Sequence, residues 1–233
     1  MSTVDPEEIR RFSAMAHAWW DPHGAFKPLH DINPVRIGYI LAHAAPAGRD
    51  VLDIGCGGGL VAEPMARLGA HVTAIDAAEK NIAAARLHAE QSGLNIDYRC
   101  MTAEALAAGG ARFDLVLALE IVEHVADVDG FVAACLTLLR PGGTCVFSTL
   151  NRTAKSFALA VVGAEYLLRW LPRGTHHWKK FLRPSELAAA ARRHGGEVKE
   201  MTGMRLNLLT GRWELDAEDL SVNYLMVVRK PGS

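Results

Sequence analysis

The sequence predicts an α/β fold built on a doubly wound, mainly parallel sheet with helices on both faces, and three observations predict it. From 50 to 149, short apolar runs alternate with helix-length segments, the pattern of repeated strand–helix–strand units. The first apolar run ends in Gly55-Cys56-Gly57-Gly58-Gly59, where a strand would turn sharply into a helix. The alternation then breaks over 154–180, just after the carboxyl end of a strand, which is where open α/β sheets bind ligands. That stretch therefore reads as an inserted helical lid. A chain of 233 residues, half of them hydrophobic, is long enough for one domain with a sizeable core. The expected organisation is a single domain over 1–233, with N-terminal helices in 1–46.

Each element follows from local pattern. Ile9, Phe12, Met15, Ala16 and Trp19 are spaced for one apolar face and predict a helix over 6–20, capped by Asp5 ahead of Pro6. A Pro- and Gly-containing stretch over 21–33 is expected as loop, with a second helix from 34 to about 45. Strands are expected at 50–54, 71–75, 96–100, 113–119 and 144–149, and helices at 60–68, 78–91 and 128–139. Arg140-Pro141-Gly142-Gly143 is a stop-and-turn signal between the last of these helices and the strand after it. Beyond the insertion come a helix at 184–194 and two final strands, at 197–204 and 222–229.

The bulk properties exclude several classes. A net charge of −1 gives no electrostatic footprint for nucleic acid. Cys56, Cys100, Cys135 and Cys145 are scattered without a CxxC pair, which suits reduced thiols in a cytoplasmic protein. Residues 1–11 carry Asp5, Glu7 and Glu8 and lack the apolar core of a secretory signal. The longest nearly apolar run, 157–168, contains Glu165 and is too short to span a bilayer. The chain is expected to be soluble, or peripheral at a membrane surface.

The glycine cluster is ambiguous by itself. It could be a structural turn, and the register Gly57-x-Gly59-x-x-Ala62 fits a nicotinamide-dinucleotide fingerprint. Asp53, inside the strand two residues before Gly55, decides between ligands. Its carboxylate would repel a pyrophosphate and attract a cationic ligand with no phosphate. S-adenosylmethionine, with a sulfonium and an α-ammonium, is such a ligand. Asp76, at the end of the second strand, is placed to accept hydrogen bonds from the two hydroxyls of a ribose.

Val51 to Leu60 with Asp76, and Pro141-Gly142-Gly143 before a strand, resemble the class I methyltransferases. The resemblance implies a Rossmann-like, seven-stranded sheet whose last pair is antiparallel. It also implies that Gly55, Cys56 and Gly57 meet the methionine part of the cofactor, Asp76 its ribose, and Leu119 the cofactor from the end of the fourth strand. Thr102-Ala103-Glu104 would lie near the adenine.

A narrower resemblance covers nearly the whole chain. Trp19-Trp20-Asp21, Phe26-Lys27-Pro28-Leu29-His30, Ile32 to Ile40, Ser148-Thr149-Leu150-Asn151-Arg152, Val161 to Tyr166, Gly174-Thr175-His176 and Val222-Asn223-Tyr224 resemble the ubiquinone-biosynthesis O-methyltransferases. The sequence departs from them at His177-Trp178, where relatives often carry an acidic and an aliphatic residue. The resemblance implies both O-methylations of the ubiquinone ring, on a 2-polyprenyl-6-hydroxyphenol and on 3-demethylubiquinol. It implies that Arg36 reaches the cofactor's carboxylate, a pairing that guanidinium geometry favours. A polyprenylated phenol or quinol, an anionic membrane and a ubiquinone-biosynthesis complex are the partners it implies.

Glu120-Ile121-Val122-Glu123-His124 follows the fourth strand. If a helix starts there, spacings of three and four put Glu120, Glu123 and His124 on one face. Two carboxylates and an imidazole suit Mg²⁺, which would lower a phenol's pKa and orient its oxygen. The mitochondrial relatives are thought to use this triplet for metal. His124, with Glu123 beside it, could instead act as a general base without metal, and a polar helix start with no catalytic part is the plainest reading. The insertion is equally open. Lys155, Arg169, Arg173, Lys179 and Lys180 stand among or after its aromatic and aliphatic residues, which fits a buried helix with a basic turn or a helix that dips 155–180 into an anionic membrane.

Overall fold

The structure is a computed structural model that describes residue 3 and residues 5–158, 178–207 and 209–232. Most of the insertion, 159–177, lies outside the described residues, and with it the expected lid and His176-His177.

Helix α1 (Pro6–Met15) starts where Asp5 accepts the Glu7 amide at 2.9 Å, and a 3-10 turn (Ala16–Ala18) extends it. Helix α2 (Lys27–His43) begins seven residues before the expected start at 34. Pro28 sits in its first turn, where a missing amide is harmless, and Pro34 lies inside it. Tertiary packing overrides the proline: Ile32, Tyr39 and Ile40 are buried, and Asn33 Nδ2 donates to the Leu60 carbonyl at 2.7 Å.

The alternating stretch gives β1 (Asp50–Ile54), α3 (Ala62–Arg67), β2 (His71–Asp76), α4 (Glu79–Gln91), β3 (Asp97–Cys100), α5 (Ala103–Ala108), β4 (Phe113–Leu119), α6 (Val128–Thr137) and β5 (Leu139–Leu150). The expected turn at Arg140–Gly143 is instead the start of β5, where a register shift between Phe113 and Leu115 accommodates the glycines. A short helix α7 (Ala154–Ser156) opens the insertion, and a 3-10 turn (Trp178–Lys180) follows it. Then come α8 (Pro184–Arg193), β6 (Glu197–Asn207), β7 (Arg212–Asp216) and β8 (Asn223–Arg229).

The sheet has eight strands, in the order β3-β2-β1-β4-β5-β8-β6-β7. The first five are parallel to one another, and β8 is antiparallel to both β5 and β6. The strand beyond the expected seven is β7, which pairs antiparallel with β6 at the sheet's edge. Both sheet faces are covered. Leu52, Ile54, Val116, Ala118, Cys145 and Phe147 face α5, α6 and α8, while Val51, Leu115, Leu117 and Val146 face α2, α3 and α4. This two-residue alternation between two apolar layers explains why the central strands read as continuous hydrophobic runs. Strand order reverses between β1 and β4, so a crevice opens at their carboxyl ends. No helix among the described residues is long and apolar enough to cross a membrane.

Candidate active site

A cavity of about 200 Å³ lies in that crevice. The loop after β1 forms its floor. Gly57 has φ +53° and an added Cβ would strike the Trp19 indole; Gly55 has φ +71° and its Cβ would come within 2.7 Å of Ile121. Neither position tolerates a side chain. Asp76 Oδ2 accepts the Gly57 amide at 3.0 Å and Oδ1 accepts the Ala78 amide at 2.8 Å, so the end of β2 ties down the loop. Arg36, Asp53, Gly55, Cys56, Gly57, Asp76 and Leu119 all line this one cavity, as do Thr102, Ala103 and Glu104.

The chemistry of the lining suits a cation. Asp53 is 3% exposed, and its Oδ2 has no hydrogen-bond partner among the described residues. Burial pushes the Asp53 carboxyl up to about 7, with Asp76 adding to the rise and Arg36 opposing it. Burial also raises Asp76, against the hydrogen bonds from Ala78, Gly57 and Asn81. Two buried carboxyls whose ionised forms burial disfavours would gain from a positively charged ligand. A sulfonium and an ammonium without phosphate fit this lining, and the glycine floor leaves room for close backbone approach. Arg36 donates to Glu120 and, at 2.8 Å, to Asn33 Oδ1. Its buried Nε is unpartnered among the described residues, a donor that remains for a carboxylate.

The triplet after β4 is arranged differently from the expected helical face. Glu120 has φ +49°, which breaks the chain direction at the end of the strand, and only Val122–His124 form a 3-10 turn. The three side chains therefore diverge. Glu120 is held by Arg36 and the Ser148 hydroxyl. Glu123 is 4% exposed, turns back to accept Thr149 Oγ1 at 2.9 Å, and does not line the cavity; burial raises its carboxyl. His124 Nδ1 meets Glu8 Oε2 at 3.2 Å. Among the described residues no three His, Cys, Asp or Glu side chains gather to hold a metal, so the triplet as placed does not fit Mg²⁺. His124 and Glu120 reach the cavity wall.

Sequence reasoning missed what the N-terminal helix contributes. Glu8, Ile9, Phe12, Met15 and Trp19 form a wall of the cavity. Trp19 stacks on Phe26 with centroids 3.7 Å apart, and its Nε1 donates to Asn81 Oδ1 at 3.0 Å. The apolar spacing of these residues was the available signal, but it did not reveal what they face.

Comparison with known proteins agrees with the geometry. Residues 52–147 match the family model described as a methyltransferase domain. A Cereibacter sphaeroides protein named ubiquinone biosynthesis O-methyltransferase is 56% identical over 236 residues, covering 96% of each chain. One of the same name from Dinoroseobacter shibae is 56% identical over 242 residues, covering 99% of this chain and 98% of its own. The fold resembles magnesium protoporphyrin IX methyltransferase from Synechocystis, solved with bound SAH (TM-score 0.60, 17% identity, 85% and 81% covered), and the 4+2 cyclase SpnF (TM-score 0.66, 16% identity, 100% and 99% covered). Those two likenesses establish the fold alone, since a methyltransferase and a cyclase share it. The full-length identity settles the narrower question: the chain belongs to the ubiquinone biosynthesis O-methyltransferase family.

Proposed function

We propose that this chain methylates phenolic oxygens in both O-methylation steps of ubiquinone biosynthesis, on a 2-polyprenyl-6-hydroxyphenol and on 3-demethylubiquinol. The observation that carries the reading is the meeting of His124 with Asp53, Asp76 and the glycine floor in one cavity. S-adenosylmethionine supplies the methyl group as an activated electrophile. Asp53 and the loop Gly55–Gly57 bind its cationic amino-acid end, Asp76 takes the ribose hydroxyls, and Arg36 takes the carboxylate. Leu119 closes the cavity from β4. His124 accepts the phenol's proton as the oxygen forms its bond to the methyl carbon and the sulfur–methyl bond breaks, leaving a neutral thioether. In-line placement of oxygen, carbon and sulfur carries much of the rate. The base contributes about 10²- to 10⁴-fold.

Transfer of labelled methyl to a prenylated catechol tests this. Wild-type protein is expected to transfer, and His124→Asn to lose about 100-fold or more in kcat at saturating donor. An unchanged kcat in that variant would remove His124 as the base.

The prenyl tail keeps such substrates in a bilayer. The ammonium groups of Lys155 and Lys180 pair with Asp219 and with Asp5 and Glu8, respectively. The sequence between them carries Arg169, Arg173 and Lys179 among aromatic residues, which supports contact with anionic lipid. The protein is expected to float with anionic vesicles at low salt and to release as salt rises. Flotation with neutral and anionic vesicles alike, or with neither, would remove the electrostatic contact.

A further inference from the structure

Helix α1 and the turn after β4 are far apart in the chain yet meet at His124. Glu8 and Phe12 are four residues apart on α1, so they share a face. Phe12 sets its ring edge-on to the imidazole, with centroids 5.2 Å apart and planes at 85°. Glu8 is 6% exposed, and its Oε2 lies 3.2 Å from His124 Nδ1. Arg11 donates to the same oxygen, and Lys180 Nζ donates to Oε1 at 3.3 Å and to Asp5 Oδ2 at 2.7 Å. Burial pushes the Glu8 carboxyl up, but His124, Arg11 and Lys180 outweigh it and hold it below its ordinary value. At neutral pH Glu8 is therefore a carboxylate, which can only accept. The hydrogen in the contact must sit on Nδ1, and in a neutral ring Nε2 is then the one acceptor left.

We propose that Glu8 is a positioning residue that fixes His124 as the Nδ1–H tautomer, with Phe12 bracing the ring, so that Nε2 is the atom that takes the phenol's proton. The inference rests on the reading of His124 as the base. Enzymes that use an imidazole as base place a carboxylate behind it for this purpose, and replacing that carboxylate by its amide misdirects the tautomer. Glu8 comes from an element outside the alternating strand–helix core, so the N-terminal helix completes the catalytic machinery as well as walling the cavity.

Glu8→Gln is the test, because an amide keeps the shape but can donate as well as accept. Two quantities are read on the full chain: the ¹⁵N-histidine NMR signature of His124, and kcat on a prenylated catechol at saturating S-adenosylmethionine. The expected result is loss of the Nδ1–H signature together with a fall in kcat of about 10- to 100-fold, below or at the lower end of the roughly 10²- to 10⁴-fold that the base itself contributes. Glu8→Asp, which keeps the carboxylate, is expected to restore part of both. A kcat that falls while the tautomer stays fixed would make Glu8 merely structural and overturn the proposal. A tautomer that changes without effect on kcat would overturn it too. His124→Asn separates the two ideas: wild-type kcat in that variant sinks the base reading, whereas the NMR signature reports on Glu8 regardless.

Discussion

Asp53 has a carboxyl whose burial favours the protonated form. Its value of about 7 lies well above the ordinary 3.8, so the folded chain binds more protons than the unfolded one between those limits. The stability this contributes is fully present below about 3.8 and is lost as pH rises through about 7. A cationic ligand favours the ionised form, so binding near or below pH 7 should release a proton. Affinity for S-adenosylmethionine is therefore expected to rise between about pH 6 and pH 8, as calorimetric titration can read; a flat profile would contradict the assignment. Asp53→Asn is expected to weaken binding by about tenfold or more, roughly 1.4 kcal/mol, while flattening the stability–pH slope of the free protein. Gly57→Ala should destabilise by about 1–3 kcal/mol, because its positive φ and the indole against it leave no place for a methyl group. Asp53 and Gly57 were legible in the sequence because their roles are local. Glu8 was not, since its partner His124 lies 116 residues away and only the fold brings them together.

At the scale of elements, the departures from expectation have physical causes. A proline and a polar stretch concealed the first turns of α2, which burial of its apolar side and the Asn33 bond to Leu60 sustain. The helical start that would have put Glu120, Glu123 and His124 on one face does not form, because Glu120 takes a left-handed backbone conformation that redirects the side chains after it. No composition or spacing announces that. The edge strand β7 is short and half-exposed, so it lacks the apolar run that marked the central strands. The 3-10 turn after α1 brings Trp19 over the glycine floor, which joins the N-terminal segment to the core. Trp19→Ala removes the stack on Phe26 and the bond to Asn81 together. A loss of about 3–5 kcal/mol is expected in urea unfolding, with weaker donor binding. A loss under about 1 kcal/mol would mean that the segment is not held by this contact.

In the whole molecule, strand order places the chemistry. The reversal between β1 and β4 opens the crevice, and the loops after β1, β2 and β4 all empty into it. The strand–helix alternation made this central sheet readable, because each buried strand is nearly all apolar and each loop carries its own glycine or acidic marker. Substrate choice was readable only through resemblance, since the same fold serves unrelated reactions. The most direct measurement is mass-spectrometric detection of methyl transfer from labelled S-adenosylmethionine to a 2-polyprenyl-6-hydroxyphenol and to 3-demethylubiquinol, each offered separately to the purified chain. Singly methylated product from both phenols is the predicted result. Intact donor binding with no product from either would contradict it.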